Sequence, residues 1–561
     1  METTPTQVIS YFNGEKQYLI PLFQRPYTWD KDSWSTLWDD IMVQYESEND
    51  SPHFMGAIVS VPAKTVPVGV TKFLVIDGQQ RLVTISILLC ALRDLLKDDY
   101  SEDSQKIQKL YLTNQFADDD NKLKIVPTNL DRELYSRIVL KQDISQDSSE
   151  KLVGAYNFFY KQLSNQIQDE EDDSVSLPKI LKVLEKKLQV VMINLNENDD
   201  PYLIFESLNF KGQPLTQADL VRNYVLMKFS HSVTPGSEQE KVYHNYWLPM
   251  EKSLDESSRD NLTDFLWYYS RKSGKNILQK GLYADIKGGI EKLSHDQLLD
   301  EIKRINQFSN HYLKILKPNH EDESGQYLLR LNELKVTTSY PLLLQLFQKL
   351  HEEKLSAPVF LTCLNLIESF IIRRLVCGIP TNALNKLFLL WASKCPDANF
   401  DNWLLTIMSE GERSKVFPTD EDFKKALIEK PVYKTKVCNH VLWALESSFG
   451  HKEQVTPNDN ITIEHIMPQT LNEDWKEHLA SDWEATHKNY VDTIGNLTLT
   501  AYNSSMSNAL FSEKKRTYLQ SHFELSKMLA EVTKWGKDEI ISRSRVLAEQ
   551  AIRLWPGPGP K

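Results

Sequence analysis

The sequence predicts a multidomain α+β protein, and three observations predict it. The chain has 561 residues, too many for one hydrophobic core, which points to two to four domains. The first 225 residues mix short β-like runs with helices, whereas 226–425 carry almost wholly the three- and four-residue apolar spacing of helices. Composition changes again near 426 and leads into two short apolar runs followed by a helix. The expected domains are therefore 1–225, 226–425 and 426–555.

In the first domain Lys72–Ile76 reads as a strand ending at Asp77-Gly78, and a strongly apolar helix follows from about Leu82 to Leu96. Leu188–Leu195 is a second strand, entered from a charged helix at Leu181–Lys187. Pro201–Leu208 reads as a helix and Asn209–Pro214 as a loop. Thr216-Gln217-Ala218-Asp219 opens a further helix as an N-cap.

The middle has no fixed-period repeat and reads as helical scaffold, as in Tyr340–Phe347. Its most apolar run, Val359–Ile379, is interrupted by Asn365, Glu368, Arg373 and Arg374, so it predicts a buried or interface helix and not a membrane span. Beyond 426 come a helix around Val441–Glu446 and a polar loop, Gly450–Asn460. The tail Pro556–Pro560 reads as a frayed end.

The formal net charge of −12 excludes a uniformly basic nucleic-acid coat, although a local basic groove would suffice to hold phosphate. The acidic runs Asp118–Asp120 and Asp169–Asp173 read as solvated loops. Five scattered cysteines, none in a CxxC pair, argue against a disulfide framework or zinc staple and fit a reducing cytoplasm. No basic segment followed by an apolar core opens the chain, so no signal peptide is expected.

The densest chemistry lies near the C-terminus. Ile463-Glu464-His465-Ile466-Met467-Pro468 places an acid-His pair on an apolar strand. Gly495-Asn496 is expected on a second strand, Asn503 opens a helix, and Lys514 is expected eleven residues further along that helix. A Glu-His pair alone is usually surface decoration, and Gly-Asn is usually a turn. The combination is the parts list of a ββα-metal (HNH) nuclease. Hydrolysis of a phosphodiester needs an activated water, charge stabilisation at the phosphate and a group that orients the base. His465 is the expected general base. Glu464 is the expected Mg²⁺ ligand, because hard cations prefer carboxylate oxygen. Strand alternation sends these two neighbours opposite ways unless the chain turns here, which Pro468 favours. Asn496 would hold the His465 ring or its loop. Asn503 would be the second metal-side group, with Asn508 a rival, and Lys514 would contact the scissile phosphate. His478, His487 and His522 are weaker candidates. From Ser505 to Arg553 there are nine Lys/Arg against six Asp/Glu, a modest excess that suits a DNA-facing surface.

A second constellation lies near the other end. Asp77, Gly78, Gln79, Gln80 and Arg81 sit where a strand turns into a helix, and helix N-termini favour phosphate. Gly78 would allow close backbone approach and Arg81 a bidentate clamp. Asp77 would hold a metal ion or orient a water, and the glutamines offer neutral hydrogen bonds. Two segments are expected to join it: Ile20–Trp29, with Arg25 and Tyr27 as candidates because an Arg among Pro and aromatic residues is poorly suited to a core, and Phe205–Leu215, with Asn209 and Lys211 in a loop that would close over a nucleotide. Trp34 and Trp38, one helical turn apart, read as core.

FQRPYTW, VIDGQQR and IFESLNFKGQPLTQADLVRN resemble the N-terminal domain of GmrSD-type, modification-dependent (type IV) restriction enzymes, a domain similar to the ParB/sulfiredoxin fold. IEHIMPQ and IGNLTLT, with Asn503 and Lys514, resemble the HNH half of the same enzymes. The resemblance spans roughly 1–230 and 430–540. It implies an NTP-hydrolysing, divalent-metal-dependent endonuclease of anti-phage defence. Its substrate would be foreign DNA with modified bases such as glucosylated hydroxymethylcytosine. Related systems with the same domain pair sense phosphorothioate instead. A nucleotide-gated DNA-binding protein with an inactive HNH module is the other alternative, and a homodimer stays open. Two positions depart from the HNH pattern: Glu464 stands where Asp is common, and Asn503 where the final His is usual.

Overall fold

The computed structural model describes the chain except residues 1, 23, 48, 50, 64–68, 119–120, 145–149, 169–175, 196–215, 230–236, 256–260, 451–459 and 559–561. The chain divides into two units, Met1–Pro249 with Ile286–Leu299, and Met250–Asp285 with Asp300–Lys561.

The first unit is built on a six-stranded mixed sheet. Its strands are β1 (Glu2–Gln7), β2 (Lys16–Leu19), β3 (His53–Pro62), β4 (Thr71–Asp77), β5 (Ile125–Val126) and β6 (Leu188–Asn194), in spatial order β1-β6-β3-β4-β2-β5. β3 pairs antiparallel with β4 and parallel with β6, while β2 runs parallel to β4 and β5. Pro5 lies on β1, at the sheet edge, where a missing N–H is tolerated. β4 and β6 are the strands expected at Lys72–Ile76 and Leu188–Leu195.

The helix after β4 runs Gln79–Leu96, three residues longer at its start than the apolar period suggests. It starts there because Gly78 turns the chain with φ 91°, and a Cβ at Gly78 would lie 2.9 Å from Ile58 Cγ1. A helix that is apolar all round must be covered all round. Its leucines and isoleucines share one core with Ile58, Val75 and Val190 of the sheet, with Phe159 and Leu163 of the helix Lys151–Gln168, and with Trp34 and Trp38. The N-cap expected at Thr216 is present as a reciprocal capping box with Asp219. The helix expected over Pro201–Leu208 and the loop carrying Asn209 and Lys211 lie outside the described residues.

The second unit is helical apart from one antiparallel ribbon, β7 (Thr462–His465) with β8 (Leu497–Thr500), in which His465 faces Leu497. The apolar run of the middle forms the helix Ala357–Val376. Its arginines are buried and feed orphan carbonyls: Arg373 donates to Trp555 O and Pro418 O, and Arg374 to Val416 O, Ser414 O and Pro380 O. Among the described residues no helix is long and apolar enough to cross a membrane. All five cysteines are free.

Two expectations near the C-terminus are corrected. Gly495-Asn496 is not on a strand; it forms the 3-10 turn Ile494–Asn496 that feeds β8. Gly495 sits in that turn because a Cβ there would lie 2.2 Å from Ile540 O and from Ser544 Oγ. The helix opened by Asn503 ends at Met506, since Ser507 takes φ 33°, and Lys514 stands on a separate helix, Phe511–Leu519.

Candidate active site

β7 is four residues long, and its alternation sends Glu464 and His465 to opposite partners. Glu464 turns towards the helix Phe511–Leu519, where Lys514 Nζ lies 2.5 Å from its Oε1 and also donates to His465 O at 2.9 Å. Both side chains of this ion pair are essentially buried. Burial pushes the Glu464 carboxyl above its ordinary value and the Lys514 ammonium below its own, each against the pull of the other.

His465 turns the other way. Its Nε2 lies 3.2 Å from Asp492 Oδ1, and Tyr433 packs edge-on against the imidazole with centroids 4.3 Å apart. Lys434 Nζ binds the second Asp492 oxygen at 3.0 Å. Burial lowers the His465 pKa below its ordinary value, and Asp492 opposes this. The result is a neutral imidazole near pH 7. With Nε2–H donated to Asp492, the lone pair is on Nδ1, for which no partner exists among the described residues. This is the arrangement a general base requires.

Asn496 supports the loop after His465 and does not reach the ring. Its Oδ1 accepts from Met467 N at 2.8 Å and Trp535 Nε1 at 3.0 Å, and its Nδ2 donates to Met467 O and Val491 O. A fully buried amide with all these bonds made is a brace. Arg543 fixes the same turn from the helix Lys537–Leu554 by donating to Gly495 O and Leu497 O. Asn503 donates to Ile463 O at 3.0 Å and Thr462 Oγ1 at 3.2 Å, tying its short helix to the start of β7. Asn508 is exposed. His487 contacts Pro468 O at 3.0 Å.

Asp492 and Tyr433 are site residues that sequence reasoning missed. The only signal for Asp492 was a carboxylate four residues before Asn496 in the segment leading to the turn. Tyr433 comes from a distant segment and left no signal.

As folded, these residues do not fit a resident divalent cation. Glu464 has the right oxygen chemistry, but an ammonium already holds it. Among the described residues no group of three His, Cys, Asp or Glu side chains converges to ligate a metal.

In the first unit the expected nucleotide residues that are described, from Arg25 to Arg81, come together at the start of the helix Gln79–Leu96, but most of their hydrogen bonds are spent internally. Gln79 Nε2 donates to Gln24 Oε1, and Gln24 Nε2 to Ile76 O. Gln80 accepts from Thr28 N and donates to Pro26 O. Tyr27 is a core residue, contrary to expectation: its hydroxyl bonds Thr84 Oγ1 and Trp34 Nε1, and its N–H bonds Asp131. Arg81 Nη1 donates to Ala57 O at 2.9 Å, in space that Gly56 leaves open. Burial pushes the Asp77 carboxyl up while Arg81 pulls it down. The hollow between Arg25, Tyr27, Gln79, Gln80 and Asp131 measures about 10 Å³, room for about one water.

Comparison with known proteins places both ends of the chain. Residues 8–226 match the GmrSD restriction endonuclease N-terminal domain, and residues 417–550 match the GmrSD restriction endonuclease C-terminal domain. A search of curated proteins found no match. The first match covers the six-stranded sheet from β2 onward, the second covers the Glu464–His465 site, and together they cover more than half of the sequence. The chain belongs to the GmrSD restriction endonuclease family.

Proposed function

We propose that this protein is a nucleotide-regulated endonuclease of anti-phage defence that cuts modified foreign DNA, with His465 as the general base. The observation that carries this is the His465–Asp492 pair: a buried neutral imidazole, oriented by a carboxylate on one nitrogen and holding a lone pair on the other. Base-glucosylated DNA is the substrate class the family suggests. His465 draws a proton from the attacking water, Asp492 stabilises the imidazolium that forms, and Asn496 keeps the loop after the base in place. Nucleotide triphosphate acts at the first unit through Arg25, Asp77, Gly78, Arg81 and the segment with Asn209 and Lys211. Arg81, beside the buried Asp77 at a helix start, supports this part. The hollow beside Arg25, at about 10 Å³, is too small for a nucleotide, so the side chains that line it must part before one enters there. Magnesium dependence belongs to the same proposal and requires Lys514 to release Glu464.

The Lys514–Glu464 pair favours a second reading, a nucleotide-gated protein whose HNH-like module grips DNA without cutting it. One experiment separates the two. Purified protein is incubated with glucosylated and unmodified plasmid, with and without Mg²⁺ and each NTP. Mg²⁺-dependent nicking or linearisation confined to the modified plasmid supports the nuclease. Retarded but uncut modified plasmid under every condition supports the gripping module.

A further inference from the structure

The second unit holds an unassigned cleft of about 660 Å³, within the size range of ligand-binding sites. Its floor is a buried polar cluster. Glu368, 1% exposed, takes a bidentate hydrogen bond from Arg330 at 2.9–3.1 Å and contacts His440 Nε2 at 3.2 Å and Trp555 Nε1 at 3.3 Å. His440 Nδ1 faces Glu333, whose carboxylate is largely exposed to the cleft. The walls are flat: Tyr327, with the Arg330 guanidinium 4.3 Å over its ring, and the half-buried Trp443. Asn365 and Asn439 also line the cleft, and their side chains have no hydrogen-bond partner among the described residues.

This chemistry selects its ligand. The guanidinium of Arg330 is committed to Glu368, His440 lies between two carboxylates and no lysine lines the cleft, so apart from the His320 imidazole no basic side chain is spare to hold a phosphate. Aromatic walls, two uncommitted amides and an exposed carboxylate suit a neutral ring bearing several hydroxyl or amine groups. Bases taken out of a duplex are read in this manner, by stacking on aromatic side chains and by hydrogen bonds to their edges. A lone base would fill only a fraction of the cleft, whereas one with a bulky hydroxylated substituent would occupy much more.

The cleft is also wired to the cutting site. Tyr433 and Lys434 touch His465 and Asp492, and the helix Cys438–Ser447 that follows directly supplies Asn439, His440 and Trp443 to the cleft. A second element does the same: Arg543 clamps the Gly495–Leu497 turn, and its helix ends in the cleft at Leu554 and Trp555, about 16 Å further along the axis. We propose that this cleft binds the extruded, hydroxyl-rich modified base of the DNA substrate and reports its presence to His465 through these two elements. The proposal rests on the nuclease reading for its substrate, but its test does not depend on cutting.

Calorimetric titration of the full chain with a glucosylated hydroxymethylcytosine nucleoside, with deoxycytidine and with free glucose reads the cleft directly. The expected result is saturable binding of the glycosylated nucleoside, with at least tenfold weaker binding of both controls. Trp443→Ala and Asn365→Ala should each weaken it tenfold or more. Asn365 is partly exposed and makes no internal bond, so its variant keeps the fold, which an unchanged thermal melt checks. Equal affinity for deoxycytidine overturns the proposal, tight binding of glucose alone reassigns the cleft to a free sugar and overturns it, and wild-type affinity in both variants overturns it. If His465→Ala binds the nucleoside as wild type does while no preparation cuts DNA, the nuclease reading fails and the cleft stands.

Discussion

A buried imidazole that must take a proton needs a lone pair at neutral pH and a partner that fixes the ring. Burial supplies the first at His465 and Asp492 the second. The groups that face the imidazole electrostatically are Asp492, which raises its pKa, and Lys514 and His487, which lower it. The sign of the pH dependence follows. Folded His465 binds its proton more weakly than the unfolded chain, whose value is near 6.5, so this group favours unfolding as pH falls below about 6.5. The acid limb of the cleavage–pH profile should therefore lie below 6.5. Asp492→Asn removes the opposing carboxylate, so the limb should move to still lower pH while the plateau rate falls roughly 10²-fold. An unmoved limb would show that Asp492 does not face the titrating base.

The Glu464–Lys514 pair makes a different prediction. Each member alone is a buried charge, so Lys514→Met should destabilise the second unit by roughly 3–5 kcal/mol, read by denaturant unfolding. Glu464→Gln combined with Lys514→Met should restore most of that loss. Two single variants as stable as wild type would mean that the pair is not buried.

At the scale of elements, the site is a two-stranded ribbon held by one turn and one long helix. The helix Lys537–Leu554 approaches Gly495 so closely that a methyl group there must push it away. Gly495→Ala should cost roughly 1–3 kcal/mol and lower cleavage in step, because Arg543 loses its grip on Gly495 O and Leu497 O. A thermal melt and a cleavage rate equal to wild type would contradict that account.

What was legible in the sequence follows the same physics. Strong local signals were readable: the apolar run at β4, the β6 run LQVVMINL, the all-apolar helix after Gly78, the cap at Thr216 and the non-spanning helix over Val359–Ile379. The short strands β1, β2 and β5 were not readable singly, because strands of six, four and two residues owe their pairing to distant neighbours and not to their own period. Likewise His465 stood out by composition, whereas Asp492, Tyr433 and the brace formed by Asn496 and Trp535 exist only once segments 27 or more positions apart meet. Tyr27 misled because its aromatic ring and its hydroxyl are both satisfied internally, which a polar-aromatic run does not reveal.

For the whole molecule, two polar constellations lie in separate units of one chain, one at Arg81 and one at His465. The function proposed above makes the two activities separable. Arg81→Ala should cripple nucleotide hydrolysis, and His465→Ala should leave it intact. The account's central claim is that His465 takes the proton from the water that cuts DNA. Its most direct test compares nicking of modified plasmid by wild type and His465→Ala at matched concentration, with equal thermal melts and equal DNA retardation as controls. The account predicts a loss of at least roughly 10²-fold in the nicking rate of the variant. Nicking by His465→Ala at the wild-type rate would contradict it.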